Sequence, residues 1–160
     1  MEWLSSVLTL IGVALGVTAT LAADHLRWQR EASRQRVLDL RQLYGEYLSN
    51  LHQAGEALWA LAQGDDRTLT AGRELAARAR EVFRAAGLYA SLERIMIGAP
   101  APVQGAANDA FHAMRDVRDR VAEGLLYGTP EHRDAEKAWE LRRRDLRTAM
   151  RADLERLDRS

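Results

Sequence analysis

Few side chains in this sequence are spaced for chemistry, and most of those read better as surface charge. There are four histidines, His25, His52, His112 and His132. Asp109 and His112 stand three positions apart, with Asp116 one turn further on. On a helix that spacing puts all three on one face. A carboxylate-x-x-His pair is the unit from which di-iron sites in helical bundles are made, but such a site needs two pairs and two further carboxylates. Only one pair is present, and its acid is Asp. His52 and Glu56 share a face by their i, i+4 spacing, with no second pair evident. Both sets are expected to be solvated polar residues, so no metal, cofactor or catalytic residue is assigned.

Two arginine-rich stretches invite a different chemistry. Arg115, Arg118 and Arg120 alternate with Asp116, Asp119 and Glu123, as on an exposed face tied by weak pairs. Arg142, Arg143 and Arg144, with Arg147 and Arg151, are more one-sided and could meet lipid head groups or nucleic-acid phosphates. Glu136, Glu140, Asp145, Asp153 and Glu155 dilute that run, so no nucleic-acid partner is expected. The whole chain carries 23 basic and 23 acidic side chains, which removes any global pull toward a polyanion. It has no cysteine, which excludes disulfides, thiolate metal sites and cysteine nucleophiles. Glycine-rich phosphate loops, GxSxG elbows and HExxH motifs are absent too. The expectation is a protein that is not an enzyme.

The elements behind these residues begin with an apolar run. Residues 3–23 read WLSSVLTLIGVALGVTATLAA, without one charge. About 20 such residues span the hydrocarbon core of a bilayer. Trp3 and Trp28 bracket the run about 37 Å apart along a helix, near the separation of the two interfacial belts. A cleaved signal peptide is one rival reading, weakened by the lack of a basic n-region. A buried core helix is another, and the run is long for that. No Lys or Arg precedes the run, whereas Arg27, Arg30, Arg34 and Arg36 follow it. By the positive-inside rule the N-terminus points out and the remainder is cytoplasmic, at a bacterial inner membrane. Trp3, Trp28, Arg27 and Arg30 are the expected interface anchors. Gly12 and Gly16 form GxxxG, and Thr9 and Thr20 extend a strip of small residues suited to close packing between membrane helices. A homo-oligomer through that face is one expected partner, besides the membrane itself and a cytoplasmic protein.

Beyond the membrane helix (1–23), residues 24–36 are expected to form a basic juxtamembrane stalk. Residues 37–160 are expected to form an antiparallel bundle of about four helices, making the chain all-α. Val37, Leu40, Tyr44, Tyr47, Leu51, Leu58 and Leu61 recur at helical steps, up to a turn at Gly64-Asp65-Asp66. A second helix is expected to start between Arg67 and Thr70 and to run unbroken to Gly98, with Leu75, Ala79, Val82, Phe83, Ala86 and Ala90 as its stripe. A third carries a narrow coiled-coil-like seam, Val103, Ala107, Ala110, Met114, Val117, Val121 and Gly124. Gly128-Thr129-Pro130 supplies a stop, an N-cap and a first helical residue for the fourth. Trp139, Leu146, Ala149, Met150 and Leu157 are that helix's apolar members, and a three-helix core with a looser fourth helix is the alternative.

A charge-free helix, a Trp- and Arg-rich stalk and then RQLYGEYL at 41–48 resemble a group of uncharacterised small single-pass membrane proteins common in actinobacteria. The bias to arginine, 22 of the 23 basic residues, fits a GC-rich genome of that kind. The likeness covers roughly the first 60 residues and implies the same architecture, with no activity attached. Tyr44, Tyr47 and Leu48 match its pattern and read as core. The function expected is a membrane-anchored binding or scaffold protein working through its cytoplasmic bundle. The alternative is an oligomeric membrane-active assembly, a channel or a membrane-disrupting effector.

Overall fold

A computed structural model describes the backbone of residues 2–64, 72–125 and 127–159, and the side chains of residues 28, 31 and 34 onward within those ranges. The side chains of the apolar run 3–23 lie outside what is described, and with them those of Trp3, Thr9, Gly12, Gly16, Thr20, Arg27 and Arg30. Trp28 is described, and its ring is 79% exposed. Among the described residues, no helix is long and apolar enough to cross a membrane. The chain divides into two compact units, Met1–Leu38 and Asp39–Ser160.

Five helices and no strand make up the described chain: α1 (Glu2–Ala62), α2 (Arg73–Ala85), α3 (Leu88–Gly98), α4 (Ala101–Ala122) and α5 (Pro130–Asp158). In the larger unit α1 contributes Leu40, Tyr44, Tyr47, Leu51, Ala54, Leu58 and Ala62 to the core, at steps of three and four. The α4 seam is buried from Val103 to Val121 as its spacing requires. Burial of a large aliphatic side chain such as Leu51 or Leu58 contributes about 1.5–3 kcal/mol. Such stripes, more than helix propensity, hold helices of this kind in place.

Side-chain pairs give the direction of each helix. Tyr47 reaches Ala107 and Gly55 faces Met114, so α1 and α4 run parallel. Tyr44 meets Asp153 and Trp59 meets His132, so α5 runs against α1. Leu43 lies over Gly98 and Glu46 pairs with Arg94, so α3 runs against α1 as well. The result is an up-down-up-down bundle whose second leg is made of two pieces. Both α5 and the α2–α3 leg pack on α4, and they do not meet one another among the described residues.

The expectation of one unbroken helix up to Gly98 is corrected at two points. Gly72 adopts φ 133°, outside helical space, so the helix begins at Arg73 and not between Arg67 and Thr70. At Gly87 the backbone turns left-handed, φ 69° and ψ 18°, and ends α2. The Gly87 N–H then bonds back to the Arg84 carbonyl at 3.1 Å, and Ser91 closes the first turn of α3 by donating to the Gly87 and Leu88 carbonyls. This redirection puts Leu88, Ser91 and Ile95 inward, where an unbroken stripe would have placed Ala86 and Ala90. Ala90 is exposed. At the other end of α3, Gln104 donates to the Ala99 and Met96 carbonyls and so satisfies acceptors that the helix end leaves open.

Thr129 caps α5 as its sequence position suggests: its hydroxyl accepts from the His132 N–H at 3.2 Å, and Pro130 opens the helix. The fourth leg is no loose appendage, since Trp139, Leu146 and Met150 are buried.

The Gly87 break yields a test. A Cβ there would meet only the Asn50 side-chain nitrogen, at an ordinary 3.6 Å. The cost of Gly87→Ala is therefore confined to the left-handed backbone, about 1–2 kcal/mol. Urea unfolding should show that loss with an unchanged m-value, and no loss would mean that the turn readily gives way to a continuous helix.

Candidate functional site

The residues singled out by spacing come together in a groove between α4 and α5. On the α4 side stand Asp109, His112, Asp116 and Arg120, one face of the helix by their three- and four-residue steps. Opposite them α5 offers Ala135 and Ala138, whose small side chains leave the space, and Arg142 closes one end. The groove holds about 300 Å³ and is open along its length. Arg142 spans 3.9 Å to Asp109 and 3.8 Å to Asp145. All three side chains are about half exposed, so each pair is weak and can be exchanged for a ligand. The groove can bind a polar or zwitterionic group by charge and hydrogen bonds. No set of three His, Asp or Glu side chains among the described residues is placed to hold a metal ion.

His52 and Glu56 sit on the opposite flank, 3.9 Å apart and exposed. Folding adds partners that linear spacing hides. Glu136, Glu140 and Arg143 of α5 come beside them, with Trp59 and Trp139 as the apolar wall of a smaller groove of about 120 Å³. Arg143 donates to Glu140 at 3.0 Å. In the mixed-sign run of α4, Arg118 departs from the expected solvent face. Its side chain is only 14% exposed and lies over the Phe83 ring at 5.0 Å, a cation–π contact that fastens α2 to α4.

Among the described residues, Ser91, His132 and Asp153 are buried, as are the hydroxyls of Tyr44 and Tyr47. Asp153 accepts from the Tyr44 hydroxyl at 2.7 Å and from Arg156 at 2.5 Å. Burial, and then the Asp153 carboxylate beside it, hold the Tyr44 phenol above its ordinary pKa. Burial alone does the same for Tyr47, whose hydroxyl donates to the Ala107 carbonyl at 2.8 Å. Ser91 is satisfied by its own helix. His132 is not satisfied. Its ring is buried between Trp59 and Tyr127, at centroid distances of 4.5 and 4.4 Å, and neither ring nitrogen has a hydrogen-bond partner.

Neither His132 nor Asp153 was singled out as an inward group by residue type. The α5 stripe contains the signal all the same. Stepping back four and then three from Trp139 lands on Ala135 and His132, and stepping three forward from Met150 lands on Asp153.

The unsatisfied imidazole makes a definite claim about stability. A buried polar atom without a partner costs about 1–3 kcal/mol. His132→Phe keeps the ring stack and removes both orphaned nitrogens, so it should leave stability unchanged or raise it by about 1 kcal/mol. Thermal unfolding checks this, and a marked fall in melting temperature would show that the imidazole nitrogens make interactions essential to the fold.

No family model, no curated protein and no solved structure matches the chain.

Proposed function

We propose that the protein is a membrane-anchored binding or scaffold protein, without catalytic activity, that works through the outer faces of its helical bundle. Residues 3–23 serve as a single membrane-spanning helix. Arg27, Arg30, Arg34 and Arg36 hold its C-terminal side, and the bundle, in the cytoplasm. Gly12 and Gly16, flanked by Thr9 and Thr20, let two such helices approach closely.

One observation carries this reading. The histidines and carboxylates whose spacing could do chemistry, apart from the buried His132 and Asp153, are displayed on open flanks of the bundle. Asp109, His112, Asp116 and Arg142 line a groove open to solvent, and His52, Glu56, Glu136 and Glu140 line another. Catalysis gains from excluding water around reacting groups, and these flanks do not exclude it. They suit recognition of a complementary polar surface, on a cytoplasmic protein or on a second copy of the chain.

A photoreactive residue in place of Ala138, which is exposed in the wider groove, tests the reading in membranes of living cells. Irradiation should give a discrete adduct, either with one cytoplasmic protein or at twice the mass of the chain. A second probe at Arg80, on the exposed side of α2, should give none. Equal diffuse labelling from both positions would remove the groove as a recognition surface.

A further inference from the structure

The arginine run of α5 divides once the helix is folded. Arg142 turns toward Asp109 and Asp145, and Arg143 toward Glu140. The acids beyond Asp145 are engaged as well: Glu155 by Arg159 at 3.3 Å, Asp158 by Arg41 at 3.1 Å, and Asp153 by Arg156 and Tyr44. Arg144, Arg147 and Arg151 are exposed, and among the described residues no carboxylate comes within ion-pair distance of them. They stand at i, i+3 and i+7, hence on one face, over about 10 Å of helix. A chain of zero net charge therefore presents, on α5, a local strip of uncompensated positive charge.

We propose that this strip docks on anionic lipid head groups, giving the bundle a second, electrostatic attachment to the membrane. The proposal rests on the membrane-anchored reading above. The strip lies in the C-terminal half of α5, ahead of Asp153 and Asp158, which meet Tyr44 and Arg41 of α1. Three arginines are a weak attachment alone. A tether keeps head groups at high effective concentration, and weak attachments then become populated. Lipid suits the strip better than nucleic acid does, because it is a convex single-helix face with no aromatic side chain on which a base could stack.

The chain has no cysteine, so Thr148→Cys, at an exposed position of α5 between Arg144 and Arg151, takes a single fluorescent donor. The full-length protein is placed in nanodiscs of phosphatidylcholine, or of phosphatidylcholine mixed with phosphatidylglycerol, containing head-group acceptors. Energy transfer should be higher in the anionic discs and should return to the neutral value at high salt. Arg144→Gln, Arg147→Gln and Arg151→Gln together should abolish the difference, the docking constant falling roughly fivefold for each arginine removed. A matched triple, Arg80→Gln, Arg84→Gln and Arg115→Gln, lowers net charge equally and should behave as wild type. Unchanged melting of both triples excludes misfolding. Equal transfer in the two lipids, or a docked α5 triple variant, would overturn the proposal. Tighter salt-dependent binding to duplex DNA than to anionic discs would overturn it in favour of nucleic acid. Failure to enter neutral discs would refute the anchor instead. Flotation with anionic vesicles then decides the strip, wild type binding and the α5 triple not if the proposal holds, and both alike if it fails.

Discussion

The bundle depends on the close approach of α1 to α4. Tyr47, fully buried, spans the gap between them and donates to the Ala107 carbonyl at 2.8 Å. Gly55 lies so near Met114 that a Cβ would come within 3.3 Å of its terminal methyl. Small residues, Ala54 and Gly55 on one helix and Ala107 and Ala110 on the other, allow the backbones this proximity. The other legs then lean on the pair from different sides. Phe83 and Arg118 fasten α2, Gln104 fastens the end of α3, and the Tyr44–Asp153 bond with the Trp59–His132 stack fastens α5.

A core organised in this way is mainly apolar and leaves most polar side chains outside. Burying a polar group without a partner is costly, and the protein mostly avoids doing so. Tyr44, Asp153 and Ser91 are each satisfied, and His132 is the exception. What remains for function is surface, including the two grooves of mixed charge beside α5 and the arginine strip on its outer face. The same division explains why the arginine run is not a uniform patch. Helical geometry sends neighbouring residues about 100° apart, so Arg142 and Arg143 turn toward carboxylates on opposite flanks while Arg144 turns to solvent.

Much of this was legible in the residues. The three-four spacing of α4 marks its buried seam, and Tyr44, Tyr47 and Leu51 mark that of α1. Thr129 and Pro130 mark the start of α5. The break at Gly87 was not legible, because Ala86 and Ala90 continue a plausible stripe past it, and a lone glycine inside a helical pattern is compatible with either outcome. Its left-handed conformation is settled by packing, where Leu88 and Ile95 have more surface to bury than the two alanines. The candidate sites were legible only one helix at a time. Asp109, His112 and Asp116 follow from spacing, whereas Arg142 opposite them, or Glu136 and Glu140 beside His52, depend on which helices become neighbours.

The 21 positions of residues 3–23 carry no charge and are followed by Arg27, Arg30, Arg34 and Arg36, the basis for the proposal that they join this bundle to a bilayer. The most direct test is a fluorescent reporter fused after Ser160, expressed in a bacterium, with membranes washed in alkaline carbonate. The account predicts a fluorescent fusion that stays in the washed membrane pellet, since a spanning helix resists extraction and the reporter folds in the cytoplasm. Release of the fluorescence into the wash, or a fusion active only when the reporter is an alkaline phosphatase, would contradict it.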